Sequence, residues 1–336
     1  MKELIFVNKM KSILLTGGAG YIGSNVANFL LDKGCKVTII DSLITGNIKL
    51  VPEKSKLFVC DIANQKKVTQ IIKKNNFDIV MHFAGLVKVD ESIKYPKKYN
   101  DFNYKKGKIF LDTCLRNNLK KIIFSSTASV YGNAKNKKVS EKDKLKPINP
   151  YAKSKIKLEN YLTKYSKIKN FKYIILRYFN VAGADKKLRA GLISKLSTNL
   201  IKVICEVSVG KRKRLMINGN NYSTKDGTPI RDFIHVTDLS EIHYLTAKYL
   251  IKNNKSKILN CGYGKGYSIL EVVDSMNSIS KKKIKIIFGK RRKNDIEMSI
   301  SNTKKFQKYI KWKPKYNDLK YILRSSYEWE KKLKYL

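Results

Sequence analysis

From residue 11 to about 178 the chain alternates two patterns. Short apolar runs such as Ile13-Leu14-Leu15, Val37-Thr38-Ile39-Ile40 and Ile122-Ile123-Phe124 have the length and composition of strands buried on both faces. Between such runs lie longer stretches with apolar residues at helical spacing, as in Val26-Ala27-Phe29-Leu30-Leu31. The pattern predicts strands at 11–15, 36–40, 57–60, 78–82, 120–125 and 172–177. It predicts helices at 21–33, 64–74, 96–118 and 151–169. Strict strand–helix alternation implies an α/β doubly wound parallel sheet. After Asn180 the alternation loosens, and 181–230 with 262–336 reads as a smaller α/β substrate-binding portion. The piece 231–261 is expected to return to the main sheet, whose own portion is 11–180.

The first strand runs into Thr16-Gly17-Gly18-Ala19-Gly20-Tyr21-Ile22-Gly23, and a helix follows. Strand, glycine turn and helix are the context of a dinucleotide-phosphate site. Gly17, Gly20 and Gly23 let the backbone turn tightly, and the N–H groups of Tyr21 and Ile22 at the helix start can face a pyrophosphate. A glycine triplet alone would equally be a tight βα turn. Here the second strand ends in Asp41, eighteen residues past Gly23. An acid there can accept from both adenosine ribose hydroxyls, and no Arg follows closely to hold a 2′-phosphate. The stretch therefore reads as a Rossmann site for NAD.

With 336 residues and 43% hydrophobic content, the chain can bury one large core or two modest ones. It has no apolar run long enough to span a membrane and no convincing signal-peptide layout in residues 1–10. The first strand starts directly after Met10, which makes Met10 a second candidate start. The five cysteines are scattered without a CxxC, which speaks against a disulfide framework or a zinc site and for a reducing cytoplasm. No metal is expected. The net charge of +45 is the departure from the ordinary. It fits either polyanion binding or a chain that is Lys-rich throughout. The lysines recur on nearly every predicted element, with tight clusters only at Lys211-Arg212-Lys213-Arg214 and Lys290-Arg291-Arg292-Lys293. Compositional drift is the reading adopted, with no specific nucleic-acid partner and weak nonspecific binding at low salt.

A second motif is Tyr151-Ala152-Lys153-Ser154-Lys155. Tyr151 and Lys155 lie four apart and share a helix face. An ammonium near a phenol favours the phenolate, drawing its pKa from ~10 toward neutrality. A phenolate can take the proton of a sugar hydroxyl while hydride leaves the same carbon for NAD. In a chain so rich in Lys and Tyr this spacing also arises by chance. The strand Ile122-Ile123-Phe124 ends in Ser125-Ser126-Thr127-Ala128-Ser129, at the sheet edge where such folds bind ligands. A hydroxyl there can bridge substrate and base, or simply cap the loop.

Together these pieces resemble the extended short-chain dehydrogenase/reductase family, and within it the UDP-glucose (UDP-galactose) 4-epimerases. The resemblance runs in order from about 11 to 330. Besides the segments above it rests on Cys60-Asp61-Ile62, His82-Phe83-Ala84-Gly85-Leu86, Arg177-Tyr178-Phe179-Asn180-Val181-Ala182-Gly183-Ala184 and Asp226-Gly227-Thr228-Pro229-Ile230-Arg231-Asp232-Phe233-Ile234-His235-Val236. It implies Thr127 as the catalytic hydroxyl, Tyr151 as base and Lys155 on the nicotinamide ribose. It places Asp61 and Ile62 at adenine, Phe83, Ala84, Gly85 and Tyr178 along the cofactor, and Asn103 near a cofactor phosphate or the Ser loop. Asn180, Asn199 and Leu200 would hold UDP, with Arg231 and Arg292 on its phosphates and Asp295 on its ribose. His82, His235 and His243 read as structural. A homodimer through the helices at 96–118 and 151–169 is implied by the resemblance alone.

The chain departs from the family in several places. Val87 stands where members often carry Lys, with Lys88 next to it. Phe102 and Lys106 replace a frequent Asn and Gly, and Asn218 replaces an aromatic against uracil. Ser299 falls where galactose-restricted members have Tyr, so UDP-GlcNAc/UDP-GalNAc interconversion, alone or beside UDP-glucose/UDP-galactose, is an alternative. Dehydratases of this fold need carboxylates just after the catalytic Thr, and Ala128 and Ser129 offer none. That favours epimerisation: C4 oxidation with tightly bound NAD, a 4-keto sugar and hydride return to the opposite face. A non-catalytic NAD-binding regulator or RNA-associated protein is the alternative from another class.

Overall fold

The computed structural model describes residues 10–133, 138–194, 197–292 and 295–333. Residues 1–9 and Lys293 of the second basic cluster therefore lie outside the described residues. Six strands in the first half are β1 (Ser12–Thr16), β2 (Lys36–Asp41), β3 (Lys56–Val59), β4 (Ile79–His82), β5 (Lys121–Thr127) and β6 (Lys172–Tyr178). Seven more follow: β7 (Asn180–Ala182), β8 (Leu215–Asn218), β9 (Ile230–His235), β10 (Lys257–Cys261), β11 (Gly266–Ser268), β12 (Ile286–Gly289) and β13 (Met298–Ser299). The helices of the first half are α1 (Tyr21–Asp32), α2 (Gln65–Lys73), α3 (Val89–Lys94), α4 (Pro96–Tyr99), α5 (Lys106–Arg116) and α6 (Pro150–Ile168). Those of the second are α7 (Leu200–Ser208), α8 (Val236–Asn253), α9 (Ile269–Ser280), α10 (Lys304–Ile310) and α11 (Leu319–Lys332).

Seven parallel strands form one sheet in the order β10-β6-β5-β4-β1-β2-β3. Strand alternation sends neighbouring residues to opposite faces, and both faces of the sheet's centre are covered, so its middle strands carry apolar residues on both sides. Ile13, Leu15, Ile39, Met81 and Ile123 pack with Val26 and Leu30 of α1 and Leu239 and Ile242 of α8. Leu14, Ile40, Val80, Ile122 and Phe124 pack on the other side with Ile71, Phe110 and Leu158 of α2, α5 and α6. Strand order reverses between β1 and β4, which opens a crevice at their carboxyl ends where a doubly wound sheet takes its ligand.

The predicted strands and helices of the first half are found within one or two residues, with three differences. β5 continues to Thr127, so the Ser-Ser-Thr segment is strand rather than loop. The helix expected at 96–118 is α4 and α5 joined by a π-turn at Asn100–Lys105. A π-turn absorbs one extra residue, and the glycine missing at Lys106 stands one place later. A Cβ on Gly107 would come within 2.9 Å of Leu158 Cδ2, so a larger residue where α5 crosses α6 would make the Leu158 side chain move. The third difference is α3, six residues with acids in its first turn, which sequence periodicity did not reveal.

The segment 231–261 divides between the two parts. β10 pairs with β6 at the edge of the large sheet, and α8 lies against α1. β9 instead centres a small sheet, flanked by β7, β11 and β13. A third apolar cluster, including Ile204, Phe233, Val273 and Leu323, holds this second part together. Among the described residues no helix is long and apolar enough to cross a membrane.

Candidate active site

The glycine turn closes over the end of β1. Gly17 has φ +73°, and a Cβ there would meet the Ala84 backbone N at 2.6 Å. A Cβ on Gly23 would lie 2.3 Å from the Gly17 carbonyl oxygen. Backbone therefore packs directly on backbone, which only glycine allows. Gly20 is the N-cap of α1 and gives it no side-chain cap, so the leading N–H groups of the helix are available to an anion. Asp41, buried at the end of β2, accepts from Ala19 N at 2.9 Å and Leu43 N at 2.8 Å. Its remaining lone pairs suit vicinal hydroxyls. Uncapped amides, a glycine cradle and a carboxylate at the neighbouring strand end fit a dinucleotide with a free ribose.

Other expected cofactor residues fall around the same crevice with varied roles. Ile62 is buried, while Asp61 is paired with Lys106 Nζ and accepts from Ala63 N at 2.8 Å. That Lys, itself over the Phe102 ring at 4.1 Å, holds the Asp61 carboxyl below its usual range against the upward effect of burial. Phe83, Ala84 and Gly85 form the loop after β4. Asn103 clamps that loop: its Oδ1 accepts from Leu86 N at 2.7 Å, and its Nδ2 donates to Leu86 O and Ser154 Oγ, both at 3.0 Å. Tyr21 uses its hydroxyl to reach Gly183 O at 2.6 Å, tying the glycine turn to the second part. Tyr178 is buried with its hydroxyl on His243 Nε2 at 2.5 Å. Val87 is exposed, and Lys88 is the N-cap of α3.

Tyr151 and Lys155 are on one face of α6, as their spacing requires. Asn149 caps that helix through Ala152 N at 2.8 Å, and Pro150 sits in its first turn. Thr127 Oγ1 accepts from Ser129 N at 3.2 Å, and Lys155 Nζ donates to Ser125 O at 2.9 Å. The side chains of Thr127, Tyr151 and Lys155 are all buried. Burial pushes the Tyr151 phenol up to about 12, opposed by the nearby Thr127 hydroxyl. The lowering expected from Lys155 is thus not seen: its ammonium is turned to Ser125, and desolvation of the phenol dominates. Burial also draws Lys155 down to about 8, with Glu159 pulling the other way.

The three histidines sit within the packed interior. His82 bonds Thr16 Oγ1 at 2.6 Å and stacks near Phe110 and Phe124. Burial, with Lys155 adding to it, lowers it to about 3. His235 caps α8, and His243 Nδ1 donates to Leu239 O at 2.8 Å. None titrates near neutrality, because burial lowers His235 to about 3 and His243 to about 4.

The second part gathers Arg231, Asp295 and Ser299. Arg231 Nη2 meets Asp295 Oδ1 at 3.2 Å, and Ser299 is paired with Arg231 across β13 and β9. Tyr222, which sequence reading did not single out, donates to Asp295 Oδ2 at 2.8 Å and carries Arg291 over its ring at 3.9 Å. It lies beside Asn218, whose carbonyl it reaches at 3.2 Å. Arg292 is half-exposed and 3.7 Å from Asp90 of α3, across from the cofactor side. Asn180 reaches Asp232 O at 3.3 Å, while Asp232 pins Tyr263 N, Gly264 N and Ser301. Asn199 caps α7 ahead of Leu200 and lines a small cavity with Tyr21 and Gly183. Among the described residues no cluster of His, Cys, Asp or Glu could hold a metal.

A Rossmann crevice with a Tyr-Lys pair and a serine-rich strand end defines an NAD-dependent enzyme of the extended short-chain dehydrogenase/reductase type. Residues 13–262 match the NAD dependent epimerase/dehydratase family. A UDP-glucose 4-epimerase of Azospirillum brasilense is 39% identical over 96% of this chain and 92% of its own length. The crystal structure of a UDP-glucose 4-epimerase from Stenotrophomonas maltophila, with NAD and formylated UDP-arabinopyranose, superposes with a TM-score of 0.94. It is 29% identical and covers 97% of this chain and 99% of its own. The UDP-Glc/GlcNAc 4-epimerase of Campylobacter jejuni is 40% identical, with a TM-score of 0.84 over 96% of this chain and 99% of its own. The chain belongs to the NAD-dependent epimerase/dehydratase family and, within it, to the UDP-glucose 4-epimerases. It is an enzyme acting on UDP-sugars, and its cofactor is NAD.

Proposed function

We propose that the protein interconverts UDP-galactose and UDP-glucose by reversible oxidation at C4. The observation that carries this reading is the buried pair Tyr151 and Lys155 on one face of α6 against the end of β5, where Thr127 is followed by Ala128 and Ser129 rather than carboxylates. Bound NAD would supply the hydride acceptor and donor and, as a cation, would favour the Tyr151 phenolate. Tyr151 takes the C4 hydroxyl proton, with Thr127 bridging the two oxygens. With no acid or base placed to eliminate water, the 4-keto sugar can only be reduced again. Arg231 and Arg292 hold the diphosphate and Asp295 the ribose, so the sugar turns about its own link while UDP stays fixed. Asn180, Asn199 and Leu200 complete the UDP side. Asp41, Asp61 and the glycine turn hold the dinucleotide, and Lys155 holds its nicotinamide ribose.

A second reading, a dual-specificity or UDP-GlcNAc/UDP-GalNAc 4-epimerase, is favoured by Ser299. A small side chain in register with Arg231 leaves room for a 2-acetamido group, and a relative of 40% identity is a UDP-Glc/GlcNAc 4-epimerase. The five buried cysteines suit a reducing cytoplasm, and a homodimer through the α4–α5 and α6 helices is the assembly proposed. The test is an NMR assay of purified protein with UDP-galactose and, separately, UDP-GalNAc, without added NAD. Conversion of UDP-galactose alone supports the first reading, and conversion of both supports the second. No turnover of either, even with NAD supplied, overturns both and moves another sugar nucleotide or the non-catalytic alternative to the front.

A further inference from the structure

Two consecutive residues of β5 are each tied to one residue of α6, and the two α6 residues continue a row of side chains four apart that begins at Tyr151. Lys155 bonds Ser125 O, and Glu159 accepts from the Ser126 hydroxyl. A spacing of four keeps them in one row along the helix. Two members of the row belong to the acid–base site. The third, Glu159, has no part in it, yet it is held most tightly of all. Arg177 Nε donates to its two carboxylate oxygens at 3.1 and 3.2 Å, and Arg177 Nη2 donates to Oε2 at 2.5 Å. The side chains of the pair are 2% and 3% exposed. Arg177 is fixed in turn by Tyr131, whose hydroxyl accepts from Nη1 at 2.8 Å and donates to Asn260 Oδ1 at 2.7 Å.

A buried ion pair is a poor way to gain stability, because apolar residues of the same volume often do as well or better. Its carboxylate is, however, well placed to act on the neighbouring ammonium. We propose that Glu159, locked by Arg177, is a positioning residue that keeps Lys155 charged and holds the end of β5 against α6. This rests on the reading of Tyr151 and Lys155 as the acid–base pair. Burial by itself drives the Lys155 ammonium toward neutrality, and Glu159 is the charge that opposes it. Before NAD binds, the other titratable groups that face it supply no anion at neutral pH. His82 of β4 is buried and uncharged, Tyr151 and Tyr178 keep their protons, and Arg177 of β6 is a cation. Ser126 gives the same carboxylate a grip on the residue next to Thr127, so one side chain sets both charge and register.

The test is the pH dependence of Glu159→Gln, which keeps size and hydrogen-bonding shape but loses the charge. The alkaline limb of kcat is expected to move down by about one pH unit. At mildly alkaline pH kcat should fall about tenfold, with KM for the UDP-sugar nearly unchanged. A folded variant whose limb coincides with the wild-type limb overturns the proposal, since a merely structural carboxylate would alter melting and not the limb. Should Arg177 left unpaired prevent folding, the double variant Glu159→Leu/Arg177→Met removes both charges, and the same downward shift is expected. Turnover by the wild type reports separately on the proposed function. If UDP-sugars are not turned over, the limb is read from NAD binding by quenching of intrinsic fluorescence. An unshifted binding limb in the variant then overturns the proposal.

Discussion

Tyr151 is buried and its phenol is pushed up to about 12, so at neutral pH it keeps its proton until a positive charge favours its release. Removing only the hydroxyl leaves the packing intact. Tyr151→Phe should therefore lower turnover by at least about a hundredfold while the purified protein still carries NAD, measured as nucleotide released on denaturation. Lys155 adds a pH dependence of known sign. Its folded-state value is drawn down from 10.5 to about 8, so the needed ammonium is lost as pH rises through about 8. Activity should decline above that point, and a profile flat to well beyond pH 8 would contradict the role given to Lys155. The same lowering means that the buried ammonium destabilises the fold below about pH 8, a penalty that fades as pH rises toward 10.5. Ser299 concerns size rather than protons. If both sugars are converted, Ser299→Tyr should suppress UDP-GalNAc turnover about tenfold or more and spare UDP-galactose, since overfilling a pocket penalises the larger ligand.

The α6 helix carries the chemistry, and its start is set by local sequence: Asn149 caps Ala152 N and Pro150 pre-sets the first turn. Asn149→Ala should cost about 1 kcal/mol, visible as a small drop in melting temperature. Gly17→Ala is harsher: its Cβ would be driven to 2.6 Å from Ala84 N at a φ of +73°. That variant should lose NAD or fail to fold. Elements of this kind were legible in the sequence because their signals are local. Buried parallel strands read as apolar runs, the glycine turn needs glycines, and Tyr151 and Lys155 must share a face. What escaped was set by partners far along the chain. Glu159 meets Arg177 from another strand, and Tyr222 meets Asp295 seventy-three residues away. The π-turn at Asn100–Lys105 has no periodic signature, and α3 is too short to show one. The pair of Tyr151 and Lys155 also did not reveal which way the ammonium turns, because Ser125 O is supplied by β5.

The net charge of +45 belongs to the molecule as a whole rather than to a site. Both tight basic clusters are partly absorbed by the fold: Lys211 meets Glu330 at 2.7 Å and Arg212 meets Glu206 at 2.5 Å. In the second cluster Arg291 lies on Tyr222, and Arg292 is near Asp90. The remaining lysines recur along the whole chain, and a field so spread attracts any polyanion without reading it. Two consequences follow for experiment. A single-stranded RNA oligonucleotide should bind at low salt and release steeply, with affinity falling at least about tenfold between about 50 and 200 mM salt and little change with sequence. The same field acts on a UDP-sugar, a dianion, so KM should rise over that salt range while kcat holds, because salt screens long-range attraction far more than buried contacts. Salt-resistant, sequence-selective RNA binding would instead require a built surface and would move the RNA-associated alternative ahead of drift as the origin of the charge. Oligonucleotide anisotropy and steady-state kinetics over one salt series distinguish the two, since a diffuse field predicts that both signals weaken together.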